Sequence, residues 1–451
     1  MKAKRHRVMV TGIGIISPLG RTRDATWRGL RDGAGAVRRV DHELADGTYT
    51  TLGAPVEALS VPEPVPVGAL VEGQADRLPI ARRSAGANED LSGEAPMGWA
   101  GESGDQPDRL QMLAMTAADE AMGDAGLSRR SLPDDRFGCS IGNSKGSLEA
   151  VGAALDGMRE TGYVDPRLWF SFMPDAPAVR LAQRFNLGGP SHCMVAACAT
   201  GLLSVIQGAS WIAEGRCDRV LAGSADASLL PMLLGSYRRL GVLAPVDGGD
   251  PNRAVRPFAA NRQGFAVGEG AAMFVLESEE SCAERQARAR VELAGWSACS
   301  DPSEMVQLGD SPGVLTECIR ETLDDAGLAP EQVGHINCHG TATAANDPWE
   351  TAGIRGAFGD HADELRLTAT KAAIGHLLGA AGSVELAATA LALEHQFVPP
   401  TLNLDRPDPE CDLDYTPHVG TARPMRAALK ASIGFGGHIA AAVLRRCDGS
   451  S

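Results

Sequence analysis

Short β-branched runs alternate with alanine-rich stretches of helical period along most of this chain, a pattern that calls for sheets layered between helices. Val8 to Ile16 reads as a buried strand that opens into a Ser-Pro loop. From Asp108, the residues Leu110, Met112, Leu113 and Met115 begin a helix that Gly126 can cap, and Phe137 to Ile141 looks like the next strand. Leu202, Leu203, Ile206, Ala209 and Ile212 recur at helical spacing over 201–214, and Arg219 to Gly223 returns to strand. The rhythm continues with a strand at Ala271 to Glu277, a helix at Val314 to Ala326 stopped by Gly327, and a strand at Val333 to Cys338. A helix at Leu377 to Glu394, a Pro-rich connection at 399–409 and a last strand pair around Ala431 and Ala440 to Arg445 close the pattern. No strict repeat relates the two halves, so the residues alone do not establish a duplication.

A chain of 451 residues can bury a large core, but with 44% hydrophobic and only 4% aromatic residues that core must be built from Ala, Val, Leu and Ile. The 53 glycines then permit close backbone approach. A net charge of −15 argues against nucleic acid or an anionic membrane as partner. Ten cysteines lie at 139, 193, 198, 217, 282, 299, 318, 338, 411 and 447 without a CxxC pair or metal-ligand spacing, as reduced thiols would. Met1 to Arg7 followed by Val8 to Leu19 imitates a secretion signal, yet Gly12, Gly14 and Ser17-Pro18 interrupt the apolar stretch. No run approaches the roughly 20 apolar residues of a membrane span, so the expectation is a soluble, cytoplasmic protein. Between 42 and 107 the texture changes to Pro55, Pro62, Pro64 and Pro66 and then to Gly, Ser, Asp and Glu, an excursion from the core expected to be partly disordered.

Three segments carry candidate chemistry. In Val195-Ala-Ala-Cys198-Ala-Thr-Gly201 a thiol stands where a strand gives way to a helix, and a helix start favours thiolate without a strong neighbouring base. His339 lies in Asn337-Cys-His-Gly-Thr-Ala-Thr343 just past a strand, and His376 follows Lys371 by five residues before a Gly-rich helix start. Each histidine alone could be structural, and His335 with His339 lacks the helical geometry and carboxylate of a zinc site. The turn Ser432-Ile-Gly-Phe-Gly-Gly437 can offer backbone N–H groups to an oxyanion. Thr11-Gly-Ile-Gly14 suggests half a dinucleotide fingerprint, but the third glycine is missing and Pro18 stands where the helix should run.

These segments, in this order and together with Ala254-Val-Arg-Pro-Phe258, Gly264-Phe-Ala-Val-Gly-Glu-Gly270 and Pro399-Pro-Thr-Leu-Asn403, resemble an elongating β-ketoacyl-ACP synthase. The resemblance is to the dissociated fatty-acid or type II polyketide kind within the thiolase-like superfamily, and it covers Val8 to Leu19 and then Asp108 almost to the end. It implies a five-layered α-β-α-β-α fold of two pseudo-repeated halves, 1–278 with the nucleophilic cysteine and 279–451 with both histidines. The implied activity is decarboxylative Claisen condensation of a Cys-bound acyl group with malonyl-ACP. Cys198 is then the acyl acceptor, His339 and His376 promote decarboxylation, and Lys371 and Glu350 are supporting charges. The N–H groups of Cys198 and Phe435 form the oxyanion hole, while Thr341 and Thr343 bind the pantetheine arm. No cofactor is implied beyond the 4'-phosphopantetheine that arrives on the carrier, and the expected partners are acyl carrier protein and a second subunit, in a homodimer or with a ketosynthase-like chain-length subunit.

Several positions depart from the family pattern. Lys145 stands where an apolar residue commonly lines the acyl tunnel, so it either meets a polar acyl chain, pairs with a carboxylate, or points to solvent. Glu304, Val306 and Gln307 replace a His and small hydroxyl residues, His438-Ile439 replace a Thr-Asn pair, and Gly241 replaces a carrier-binding Arg, with Arg238 and Arg239 nearby. These departures favour specialised metabolism over housekeeping fatty-acid elongation. A thiolase would need a second cysteine where Gly436 and Gly437 stand, and an initiating synthase would carry Asn for one histidine. A non-catalytic chain-length subunit would lack the cysteine.

Overall fold

The computed structural model describes residues 5–44, 47–57, 59, 107–128, 132–164 and 168–447. In chain order its strands are β1 (Val8–Ile16), β2 (Arg38–Leu44), β3 (Gly47–Ala54), β4 (Phe137–Gly142), β5 (Ser191–His192), β6 (Arg219–Asp226), β7 (Val267–Gly268) and β8 (Gly270–Ser278). They continue as β9 (Val291–Ser300), β10 (Val333–Asn337), β11 (Arg366–Thr368), β12 (Phe397–Val398), β13 (Thr421–Ala422), β14 (Ala427–Gly434) and β15 (His438–Arg446). Ten of them form one sheet in the order β11-β10-β14-β15-β9-β1-β8-β6-β4-β5.

That order contains a duplication that the residues did not reveal. From one edge, β5 runs parallel to β4, β4 parallel to β6, β6 antiparallel to β8 and β8 antiparallel to β1. From the other edge, β11, β10, β14, β15 and β9 repeat the same sequence of parallel, parallel, antiparallel and antiparallel pairs. The two sets meet where Val8–Val10 of β1 pair with Val291–Leu293 of β9.

Period-two alternation explains how a strand buried on both faces serves two cores. In β8, Ala272, Phe274 and Leu276 point into a central core while Ala271, Met273 and Val275 point outward to a second. In β15, Ala440, Ala442 and Leu444 face the central core and Ile439, Ala441 and Val443 face a third. The helices Thr200–Ala213 and Ala381–His395 fill the centre, Arg109–Asp124 and Ala176–Phe185 cover one outer face, and Gly313–Ala326 and Asn346–Phe358 the other. Helix, sheet, helix, sheet, helix is the five-layered arrangement expected. With so few aromatic residues, the layers close because small side chains let backbones meet.

Three sequence expectations change here. The helix expected from Leu377 starts at Ala381, because Leu377–Ala380 makes a separate turn with Leu378 at φ +48°. The excursion from 42 is not uniformly irregular: β2 and β3 form a hairpin, and β3 extends beside β7. Pro62, Pro64, Pro66 and nearly all of the 84–107 stretch lie outside the described residues. The glycines of Thr11-Gly-Ile-Gly14 serve packing, since a Cβ at Gly12 or Gly14 would stand 2.2 or 2.0 Å from the carbonyl oxygens of Ala121 and Ala117 on the covering helix.

Substituting Gly14→Ala should therefore separate that helix from β1 and cost about 1–3 kcal/mol or more, the usual penalty of overpacking. Denaturant midpoints of the wild type and the variant measure it, and unchanged midpoints would contradict the close approach.

Candidate active site

Cys198 occupies a single helical turn, Ala197–Ala199, between edge strand β5 and the central helix Thr200–Ala213. Ala197 carries a φ of +46°, a conformation uncommon for a residue with a Cβ and one that presents the following side chain inward. The turn is held from both sides. Thr200 Oγ1 accepts the N–H of Ala196 at 2.8 Å, and a Cβ at Gly434 would stand 3.3 Å from the Cys198 nitrogen. The end of β14, and with it the turn Phe435–Gly437, is thus brought against the backbone of Cys198. Leu234, Phe265, Val267 and Leu378 pack around the sulfur.

This setting corrects the expectation of a dipole-activated thiolate. Burial pushes the Cys198 thiol up to about 11, against the opposing pull of Lys145 and Lys371. The resting group is a thiol, and a neighbouring imidazole is at hand: His376 Nε2 lies 3.2 Å from Cys198 Sγ. The Leu378 N–H points at His376 Nδ1 at 3.2 Å, so Nδ1 is the acceptor nitrogen and the ring proton resides on Nε2. The backbone of His376 is fixed as well, its N–H donating to Ala266 O at 2.7 Å and its carbonyl accepting from Gly268 N at 2.9 Å.

The His339 ring lies 5.5 Å from that of His376, nearly perpendicular at 83°. Burial first, and then the Lys371 ammonium, hold both imidazoles well below the ordinary histidine range, so both are neutral near pH 7. His339 is gripped through its main chain. Glu350 accepts the N–H groups of His339 and, at 2.8 Å, of Gly340, while the Lys371 ammonium donates to the His339 carbonyl.

Lys371 and Glu350 therefore both serve His339, but they are not each other's partner. Lys371 pairs with Glu385 at 2.7 Å, and the other Glu385 oxygen lies 2.7 Å from Lys430 Nζ. Lys430 also donates to the Cys338 carbonyl at 3.0 Å. Sequence reasoning missed Glu385 and Lys430. The signal was present in the apolar strand Ala-Ala-Leu-Lys430-Ala and in the helix Ser-Val-Glu385-Leu, where a charge among buried residues implies a buried partner.

The remaining candidates fall as follows. Thr341 and Thr343 hydrogen-bond each other at 2.9 Å on the loop after His339. Phe435 is half-buried in the turn, whose Gly436 N–H donates to Met305 O at 2.7 Å and so ties the exposed 304–307 loop to the site. Lys145 does not point to solvent, as one alternative held. Its ammonium turns in to Asp226 Oδ2 at 3.3 Å. His335 is buried with Nδ1 on the Arg366 carbonyl at 2.8 Å, a structural imidazole.

Two family descriptions match the chain: "Beta-ketoacyl synthase, N-terminal domain" over residues 97–281 and "Beta-ketoacyl synthase, C-terminal domain" over 290–405. The chain belongs to the β-ketoacyl synthase family. It is 33% identical over 448 residues to the tetracenomycin polyketide synthase ketoacyl synthase alpha subunit of Streptomyces glaucescens, covering 98% of this chain and 97% of that protein. With 3-oxoacyl-[acyl-carrier-protein] synthase 2 of Coxiella burnetii the identity is 31% over 448 residues, covering 98% of this chain and 99% of the other. A solved type II polyketide ketosynthase, in complex with its acyl-carrier protein and bound to a hexaketide, superposes with a TM-score of 0.82 at 28% identity, covering 98% of this chain and all of that one. The fold is thiolase-like, and the enzyme is an acyltransferase of the β-ketoacyl-ACP synthase class.

Two outcomes follow from the synthase's site. Because burial raises the Cys198 thiol, its alkylation by iodoacetamide should quicken about tenfold per pH unit from pH 7 until it levels near the raised value. Peptide-mapped alkylation rates measure this, and a plateau already below pH 8 would mean a thiolate at rest. Glu385→Gln leaves two buried ammonium groups without their shared counter-charge and should cost about 3–5 kcal/mol in denaturant unfolding.

Proposed function

We propose that this synthase extends an acyl chain in a polyketide or other specialised pathway, with Cys198, His339 and His376 performing the condensation. The observation that carries the reading is the Cys198 Sγ to His376 Nε2 distance of 3.2 Å, with His339 seated beside His376 in the same buried pocket. Acyl transfer comes first. Cys198 attacks the carrier-bound thioester, its S–C bond forms as the pantetheine C–S bond breaks, and the thiol proton ends on the departing pantetheine sulfur. The main-chain N–H groups of Cys198 and Phe435 are the proposed donors to the tetrahedral oxyanion.

The second carrier then delivers malonyl. Loss of CO₂ leaves negative charge on the thioester oxygen, and two neutral imidazoles offering N–H groups stabilise an enolate without surrendering a proton to it. The enolate carbon attacks the acyl-Cys198 carbonyl, the new C–C bond forms, and the Cys198 sulfur leaves. Lys371 and Glu350 act through His339, whose main chain they hold. Thr341 and Thr343 are proposed to bind the pantetheine arm, and 4'-phosphopantetheine enters only as cargo of the carrier protein. We place the enzyme in the cytoplasm with acyl carrier protein as partner, as a dimer with itself or with a chain-length subunit. Among the described residues no helix is long and apolar enough to cross a membrane.

Incubation with acyl-carrier thioesters and malonyl-ACP, read by intact mass and product chromatography, tests this. Cys198→Ala should lose the acyl adduct and at least about a thousandfold of condensation. His339→Ala and His376→Ala should keep the adduct but lose malonyl decarboxylation. Product formation that survives Cys198→Ala would make the chain a non-catalytic chain-length subunit. An equally rapid two-carbon extension of every saturated chain would place it in fatty-acid elongation instead.

A further inference from the structure

The loop that follows β4, Asn143-Ser144-Lys145-Gly146, has no task in the reaction above, yet it packs on the loop of His376. A Cβ at Gly379 would stand 2.7 Å from the Ser144 nitrogen and 2.9 Å from Asp226 Oδ2. Lysines ordinarily run their ammonium out to water. Only 17% of the Lys145 side chain is exposed, and its ammonium acts electrostatically on both Cys198 and His376. Tyr237, set edge-on to Phe265 at 6.1 Å, lies in the field of Cys198 and Asp226. A cation, a carboxylate and a phenol thus lie within electrostatic reach of Cys198, apart from the two imidazoles.

The hydrogen bonds of this cluster do not close. Asp226 receives Ser228 Oγ on one oxygen and, on the other, Ser144 Oγ, Lys145 Nζ and the Gly379 N–H at 3.1 Å. Four donors fill a carboxylate. An ammonium has three N–H groups, and Lys145 places two of them, on Ser144 Oγ and Asp226 Oδ2. Among the described residues nothing takes the third.

We propose that Lys145 is a specificity-determining residue of the acylation step, its third N–H donating to an oxygen of the acyl group brought to Cys198. The synthase then selects acyl chains that carry a carbonyl, hydroxyl or carboxylate oxygen over plain hydrocarbon chains of the same length. This deepens the proposed function and rests on it. A lysine that merely favoured the Cys198 thiolate would speed every donor alike, so the ratio between donors, not the rate, carries the test.

Initial rates of acyl-adduct formation on Cys198 are to be compared for butyryl-, 3-oxobutyryl- and succinyl-pantetheine, without malonyl donor. The wild type should prefer the oxygenated four-carbon donors by roughly tenfold, the factor that a hydrogen bond to a charged group commands. Lys145→Met and Lys145→Ala should bring the ratio to about one, while Lys145→Arg keeps most of the preference. Equal rates for the wild type, or a preference that survives Lys145→Met and Lys145→Ala, overturns the inference and leaves the condensing role standing. No adduct from any donor, carrier-bound acyl groups included, overturns both.

Discussion

The placing of His339 depends on one buried carboxylate. Glu385, on a central helix, holds the ammonium groups of Lys371 and Lys430 at 2.7 Å each. Those two cations reach the carbonyls of His339 and Cys338, so the chain just past β10 is held through main-chain oxygens. Glu350 holds the same segment through N–H groups from the opposite side. Removing two ammonium groups and two carboxylates from water costs several kcal/mol per ion, and their attraction does little more than offset it. The gain is positional. An apolar replacement could fill the volume, but nothing apolar can hold a carbonyl and an N–H of the same residue in place.

The same charges set the chemistry. Both imidazoles lie in a dry pocket beside cations, which keeps them neutral. A charged imidazolium would be a stronger acid but would quench the enolate by protonating it, whereas a neutral N–H can stabilise the anion and still release it to attack carbon. For His376 the tautomer follows from a single main-chain donor, Leu378, and that donor is placed by a residue at φ +48°. The high Cys198 thiol value fits this scheme. A thiol that is reluctant to ionise leaves water and stray electrophiles alone, and an N–H at 3.2 Å becomes useful once charge develops on sulfur.

What could be read from the residues was whatever is local. The turn at Cys198, the loop of His339 and the glycine turn at 434–437 each announce themselves within a few residues, because the backbone geometry is made by the sequence that carries it. The partners of Lys371 and Lys430 could not be read so directly, since 14 residues separate Lys371 from Glu385 and the pairing of Lys430 with Glu385 links a strand to a helix. The sign of the cysteine shift was misjudged for a related reason. A helix start is visible in sequence, whereas the burial that outweighs it is the work of Leu234, Phe265, Val267 and Leu378, drawn from three distant segments.

The duplicated topology explains why these groups converge. β5 and β11 occupy equivalent edges, and each connection ends in a single helical turn, Ala197–Ala199 or Leu378–Ala380, that runs into a central helix, Thr200–Ala213 or Ala381–His395. Cys198 sits in the first connection and His376 in the second, beside Ala197 at φ +46° and Leu378 at φ +48°. Cys198 and the histidine that faces it therefore come from equivalent connections of the two half-molecules, although the turn position matching Cys198 is Gly379 and His376 lies three residues before it. By the same relation β4 corresponds to β10, and the loop after β10 carries His339. The loop after β4 carries Lys145. Ligands gather at the carboxyl ends of parallel strands where helices begin, and this fold brings two such ends together, one carrying His339 and the other Lys145, whose ammonium keeps one N–H without an acceptor among the described residues.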